Sequence, residues 1–396
     1  MKLQARSALM LKEALHRAGK CINNKCSMAI MENVLLKKEG NDFFFVSGNQ
    51  DAILKQPAPF EIVEGDYNKE VVLPLKQLQA LIATLPSDCV LTFDVGEGES
   101  HPLAIEYCIT VDGKVKKGQV SLSYQMGEDY PPFATLSANP THISLPGIVF
   151  KNAVENAVKF VAHDELRPVM NCLCIDIAED LSQVVIVASD GHKLIKTIHT
   201  NNPDTGGSNF YRSGSPMRIL INSTFFSALQ VFFDCEDVEI EADEKFIRVS
   251  SGDMKMLMRG VDGKYPNYNS VIPRDNPYVL VVNKKEILEV LRRVALFCSE
   301  SSKLISLHPD GMFLDMKGED IDFSQSAEDQ VLLLDNNAPD NFRIGFSYVS
   351  LMGAIAAIPG DTVKLNLSDP SHAGVVTENS ANSLNLTLVM PMLLND

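Results

Sequence analysis

The stretch VVIVASDGHKLIKT, residues 184–197, decides how the chain is read. Its apolar run 184–188 has the character of a buried strand, Ser189-Asp190-Gly191 supplies turn chemistry, and Leu194-Ile195 resumes an apolar pattern. The spacing therefore predicts strand, tight turn, strand, with His192 and Lys193 presented by the turn. Asp190 and His192 are residue types of a hydrolytic constellation. Asp-Gly is, however, a favoured hairpin pair, and no serine or cysteine in a nucleophile-elbow context accompanies them. On residue chemistry alone the stretch reads as a surface hairpin.

The surrounding chain has 396 residues, enough for about two to four domains with cores of their own. With 45% hydrophobic and 22% charged residues it has the balance of an ordinary globular protein. No apolar run approaches the roughly 18 residues of a membrane span. The opening MKLQARSALMLKEALHRAGK carries charges through its apolar part, unlike a signal peptide, so a cytoplasmic protein is expected. The eight cysteines, Cys21, Cys26, Cys89, Cys108, Cys172, Cys174, Cys235 and Cys298, are scattered, with no CxxC pair and no zinc-site spacing. Most have apolar neighbours, as in Asn171-Cys172-Leu173-Cys174-Ile175, and read as buried reduced thiols.

Internal repetition organises the rest. Tyr130-Pro131-Pro132-Phe133 returns as Tyr265-Pro266-Asn267-Tyr268, 135 residues on, and Leu85-Pro86-Ser87-Asp88 returns as Ile358-Pro359-Gly360-Asp361, 273 residues on, about twice that offset. Three repeats fit, with boundaries at 1–136, 137–272 and 273–396. Each opens with a short strand and an amphipathic helix, whose apolar stripes are Leu11, Ala14, Leu15 and Ala18, then Ala153, Val154, Ala157, Val158 and Val161, then Ile287, Leu288, Leu291 and Ala295. Asn283 and Glu286 look like a capping pair for the third of these. A second helix follows in each repeat, giving six helical segments: 7–20, 74–85, 151–162, 222–233, 284–297 and 347–358. The remainder reads as strands with frequent hairpin signals, such as 238–242 and 246–250, so antiparallel sheets are favoured over βαβ winding. The Tyr-Pro segments near 126–140 and 263–277 read as crossings between repeats. Residues 201–216, rich in Gly, Ser and Asn, read as a mobile loop.

Net charge is −16, which argues against a surface that grips nucleic acid everywhere. Yet the six helical segments together carry +6, leaving −22 on the strands and loops of this −16 chain. Such a protein can offer one face to a polyanion and repel it elsewhere. No phosphate cradle is present, since Asp204-Thr205-Gly206-Gly207-Ser208 lacks the lysine and spacing of a P-loop. Asp320-Ile321-Asp322 alternates as an exposed strand face does, so no metal and no cofactor are expected.

Three motifs taken together, SDGHKL after an apolar strand, GKYPNYNSVIP at 263–273 and the ending VMPMLLND at 389–396, resemble the bacterial DNA polymerase III β subunit, the sliding clamp. The resemblance covers essentially the whole chain. It implies an α+β DNA-clamp fold: three similar domains, two subunits closed head to tail into a ring, sheet outside and helices inside. It implies a non-enzymatic processivity clamp that encircles double-stranded DNA without reading sequence. Its partners would be the replicative polymerase, a clamp loader, and other DNA polymerases and repair proteins.

Carried over residue by residue, the partner-peptide pocket falls on Met170, Ser189, Gly191, His192, Lys193, Leu194, Pro266, Val271, Leu388, Val389, Met390, Pro391 and Met392. The DNA-facing positions fall on Lys25, His163 and Arg167. Lys12, Arg17, Lys20, Lys285 and Arg292 are added from helix placement. The subunit interface is expected at Leu296 and Phe297 of one copy against Val120-Ser121-Leu122 of the next. The chain departs from the family's pattern at Pro168 and Val169, where tyrosines are usual. Further departures are Lys193 for arginine, Ser270 where some members have arginine, Leu393 for arginine, and the added Asn395-Asp396. Two other readings stand beside this one. A hydrolase using Asp190 and His192 would need a nucleophile nearby, and a three-repeat protein scaffold would bind no DNA.

Overall fold

The computed structural model describes residues 1–22, 28–67, 69–96, 102–111, 113–132, 134–177, 183–200, 212–213, 215–380 and 385–394. Two compact units emerge: one comprises 1–151, 210–214 and 224–260, the other 152–209, 215–223 and 261–396. Strands of the expected second repeat are thus divided between them. Among the described residues every strand pair is antiparallel.

In the first unit a five-stranded sheet ends in the strand Lys114–Leu122, which bonds to Leu103–Val111 on one side. A ten-stranded sheet runs beside it in sequence. Its strands from the early chain meet those of 237–259 at one ladder, where Ala52–Ala58 pairs Met254–Arg259 through four residue pairs. The second unit is a twelve-stranded sheet. There Lys193–Thr200 pairs Leu386–Val389, again through four residue pairs.

Helix α1 (Ala8–Gly19) is capped by Ser7, whose side chain accepts the Met10 N–H, and buries Leu11, Ala14, Leu15 and Ala18 as the periodicity predicts. Three side-chain donors fasten it to its surroundings. Ser47 Oγ donates to the Ala18 carbonyl at 2.8 Å, Gln79 Nε2 to Leu15 at 2.9 Å, and Gln56 Nε2 to Ala14. Helix α2 (Leu75–Ala83) packs on α1. Beneath them lies an aromatic cluster in which Phe60 meets Phe93, Phe45 and Phe43 edge-on, at centroid distances of 4.9, 5.9 and 6.4 Å.

Helix α3 (Gly147–Phe160) starts four residues earlier than the expected Lys151. Gly147 donates its N–H to the Glu236 carbonyl at 2.7 Å, and a Cβ there would lie 1.8 Å from the Cys235 carbonyl oxygen. Only glycine fits so close an approach. Val158, expected in the buried stripe of α3, is 55% exposed, and Phe150 and Phe160 fill that interior instead. The expected helix 222–233 is reduced to α4 (Phe226–Leu229) between 3-10 turns. Helices α5 (Lys284–Ala295) and α6 (Tyr348–Ala357) follow the prediction, and Asn283 caps α5 by accepting the Glu286 N–H at 3.1 Å.

Asp320 ends its strand and Asp322 lies in the following turn, so the alternating strand face expected for this pair is replaced by a turn. The hairpin 237–251 forms as expected, whereas the loop 201–216 falls almost entirely outside the described residues. Cys21, Cys89, Cys172, Cys174 and Cys298 are buried, Cys235 is partly exposed, Cys108 is exposed, and Cys26 lies outside the described residues. Burial pushes the Cys21 and Cys172 thiols up to about 12. No helix among the described residues is long and apolar enough to cross a membrane.

Phe60→Ala should remove the ring that three others pack against, costing about 3–5 kcal/mol. Chemical denaturation followed by circular dichroism measures this. A loss under about 1 kcal/mol would mean the cluster does not bear on stability.

Candidate functional site

The second unit contains the turn at 189–193. The strands Gln183–Ser189 and Lys193–Thr200 form the expected hairpin, and Gly191 sits at φ 95°, a left-handed conformation that suits glycine. Asp190 builds the turn. One carboxylate oxygen accepts the N–H groups of His192 and Lys193, each at 2.8 Å, and the other lies 3.6 Å from Lys193 Nζ. Ser189 Oγ closes the base by donating to the Lys193 carbonyl at 2.9 Å. Asp190 is committed to backbone and lysine, not to the His192 ring, which removes the basis for the hydrolytic reading.

The far end of the chain arrives at the same place. Lys193 and Leu194 stand opposite Val389 and Leu388, and the Met390 N–H donates to the His192 carbonyl at 2.8 Å. Beyond it, the Met392 N–H donates to the Gly345 carbonyl, also at 2.8 Å. Leu194 and Leu388 share one buried cluster with Cys172, Cys174, Tyr265 and Tyr268, against which Val169 and Ile272 pack. Pro266 and Val271 are therefore carried to this neighbourhood by Tyr265, Tyr268 and Ile272. Tyr268 donates its hydroxyl to Asp176 at 2.9 Å, and Lys196 Nζ bonds Asn269 at 2.8 Å. Burial raises the Tyr265 phenol well above its ordinary value.

Floor and rim differ in exposure. Met170, Ser189, Leu194, Leu388 and Val389 are buried, while Val271 at 55% and Met390 at 37% leave apolar surface open; Pro391 and Met392 are partly exposed. Exposed apolar side chains over a buried apolar floor suit the docking of another apolar group.

A second polar knot holds the segment entering Met170. Asp164 and Asn171 exchange two hydrogen bonds, at 3.0 and 2.9 Å, and Arg167 Nε donates to Asp164 at 2.7 Å. A Cβ on Gly191 would lie 3.6 Å from an Arg167 guanidinium nitrogen, so this loop reaches the hairpin turn. The Arg167 hydrogen bond holds the Asp164 carboxyl below its usual range. Neither Asp164, Asn171 nor Gly345 was singled out in sequence, because contacts across seven residues or across the fold leave no periodic trace.

The basic positions fall into two groups. In the first unit Lys12, His16 and Arg17 of α1 and Lys20 just after it, with Gln56, Gln79 and Gln230, line a groove of about 820 Å³. In the second unit His163, Arg167, Lys285 and Arg292 are exposed. Lys25 lies outside the described residues. Leu296, following α5, is 77% exposed and Phe297 42% exposed, whereas Val120 and Leu122 are partly buried on the one-sided strand Lys114–Leu122.

Known proteins are similar to this chain in sequence and fold. Residues 269–393 match the family of the DNA polymerase III beta subunit, C-terminal domain. Over 389 residues, 97% of this chain and 98% of the relative, it is 22% identical to a beta sliding clamp of Pseudomonas aeruginosa. Over 383 residues, 96% of each chain, it is 22% identical to that of Caulobacter vibrioides. Among solved structures, a Pseudomonas aeruginosa sliding clamp bound to griselimycin is covered completely, as is this chain, with a TM-score of 0.84 at 19% identity. The beta subunit of DNA polymerase III from Thermotoga maritima gives 0.80 at 18%, with complete coverage of both chains. The fold is therefore the α+β fold of DNA sliding clamps. Its C-terminal third matches the DNA polymerase III beta-subunit family, and over nearly its full length the chain is similar to beta sliding clamps.

The pH dependence of the knot follows from its carboxylate. Because the native value lies below the ordinary 3.8, Asp164 contributes stability that is present above that value and lost as pH falls through the lowered native one. Asp164→Ala should mimic the acid state at neutral pH, accelerating amide exchange at Leu166 and Arg167 while leaving the 193–200 ladder protected. Unchanged exchange at Leu166 would contradict the assignment.

Proposed function

We propose that two copies of this chain close head to tail into a ring around duplex DNA, and that each copy tethers the replicative polymerase through the apolar rim at 189–194 and 388–392. The reading divides each copy into three clamp domains, 1–136, 137–272 and 273–396, and makes the ring a cytoplasmic protein also used by the clamp loader and other DNA polymerases and repair proteins. The observation that carries it is the backbone bond from Met390 to His192, which unites two sequence segments almost 200 residues apart beside exposed Val271 and Met390.

Two further features support closure. Among the described residues, the strand Lys114–Leu122 has one open side, and Gln325–Asn336 pairs along 325–332 only with Phe313–Asp320, leaving another. An open strand edge presents backbone groups with which another strand can pair. Lys114, Lys116 and Lys117 are exposed on the first, while Glu319, Asp322 and Glu328 are exposed on or beside the second, so opposite charges would meet if the two edges joined. The Ser299 N–H bonds the Glu319 carbonyl at 3.2 Å, which keeps the exposed Leu296-Phe297 pair next to that acidic hairpin. Within the ring, Lys12, Arg17, Lys20, His163, Arg167, Lys285, Arg292 and Lys25 would face phosphate without reading bases.

The experiment is retention on nicked circular DNA against the same DNA linearised, after loading. The wild type should stay on the circle and run off the linear form, and Leu296→Ala with Phe297→Ala should give folded monomer that is retained on neither. Equal retention on both forms would overturn the ring.

Deleting 390–396 should abolish binding of a peptide bearing a glutamine followed by two large apolar residues, leaving the dimer intact. For the full chain, filling the rim with two such side chains should give roughly micromolar affinity. Full peptide affinity in the truncated chain would remove the pocket from the residues named.

A further inference from the structure

Gln56 occupies a position that the strand pattern reserves for an apolar side chain. In Ala52–Ala58 the inward residues are Ala52, Leu54, Gln56 and Ala58, and Gln56 is 1% exposed. A buried amide is costly unless both its ends are bonded. Here both are: Nε2 donates to the Ala14 carbonyl of α1, and Oε1 accepts from Arg17 Nε at 3.0 Å, one turn further along the same helix.

The pairing of Arg17 sets it apart. Arg6, Arg167, Arg218, Arg248, Arg259 and Arg293 are each held by a carboxylate. Arg17 is held by a neutral amide, so its position is fixed without a carboxylate bonded to it. Lys20 repeats the device, its Nζ bonded to Gln230 Oε1 at 2.8 Å. Glu13, Asp234 and Asp253 also line the groove, but among the described residues none forms an ion pair with Lys12, Arg17 or Lys20. A guanidinium bonded through Nε keeps its four Nη–H donors, the set that engages a phosphate.

We propose that Gln56 is the positioning residue for Arg17, and that the groove along α1 is a fixed backbone-phosphate contact for duplex DNA. This rests on the DNA-encircling reading above. A neutral support suits the task, because a carboxylate would orient the arginine equally well and cancel the attraction.

The test is fluorescence anisotropy of a linear duplex of about 30 base pairs titrated with the full-length dimer at several salt concentrations, giving the slope of log affinity against log salt. Gln56→Glu keeps an oxygen for Arg17 and neutralises it, at the cost of the bond to the Ala14 carbonyl, so the slope should fall by about 0.9, the value of one phosphate contact. Arg17→Ala, a change at a partly exposed helix position, should fall by the same amount, and the double variant by no more than either. Thermal melting of each dimer separates loss of fold from loss of contact. If wild type binds with a salt slope but Gln56→Glu and Arg17→Ala keep it, the groove assignment falls and the clamp reading stands. If wild type shows no salt-dependent binding, the DNA reading falls first.

Discussion

The largest sheet of each unit is joined across distant parts of the chain by a short antiparallel seam. In the first, Ala52–Ala58 meets Met254–Arg259; in the second, Lys193–Thr200 meets Leu386–Val389; each seam has four residue pairs. A ladder this short gains little from hydrogen bonding alone, since each bond nets about 1 kcal/mol against water. Its strength comes from what surrounds it. Leu54, Met256, Leu388 and Val389 are buried, and Thr387, fully buried, satisfies its hydroxyl on the Ala354 carbonyl of α6 at 3.1 Å. The seam in the second unit also ends at the His192 turn, so the element that completes the sheet is the element that forms the candidate partner site.

The same economy of polar groups runs through the helices. Ser47, Gln56 and Gln79 reach carbonyls of α1 that already serve the helix ladder, fixing its rotation against two neighbours. Apolar packing alone tolerates small rotations, whereas directed hydrogen bonds do not. A helix meant to present lysine and arginine at set positions gains from that restriction. The loop at 163–171 is likewise held by Asp164 and Asn171 beside the buried Met170 at its end, although most of its residues are exposed.

Local pattern made much of this legible. The hairpin at 184–197, the caps of α1 and α5, and the buried stripes of α1 and α5 follow from periodicity and turn chemistry in the sequence. What escaped the sequence depends on contacts distant along the chain. Helix α3 begins at Gly147 because the chain at 235–236 presses against it, which no window around Lys151 contains. The segment 222–233 has helical spacing, but Phe225, Phe226, Leu229 and Phe232 are all buried, so packing rather than a single apolar stripe sets its winding, and the regular helix shrinks to one turn. At the candidate site the motif residues were visible, while their supports were not. Asp190 read as half of a reactive pair until its carboxylate proved to be occupied by two backbone N–H groups.

The C-terminal strand is fastened twice, at Met390 to His192 and at Met392 to Gly345. A β-strand with a loose end peels one hydrogen bond at a time, each rupture exposing the next, so it resists little force. With the end beyond Met390 secured, a pull on that residue cannot start an unzipping front there; it loads the bonds on both sides together. Leu394 adds to this hold, its side chain lying where a Cβ on Gly345 would intrude at 2.8 Å, so the strand opposite the anchor stays bare to admit it. The tail therefore behaves as a mooring that distributes tension into the sheet, a property that depends on the arrangement of its bonds more than on their number.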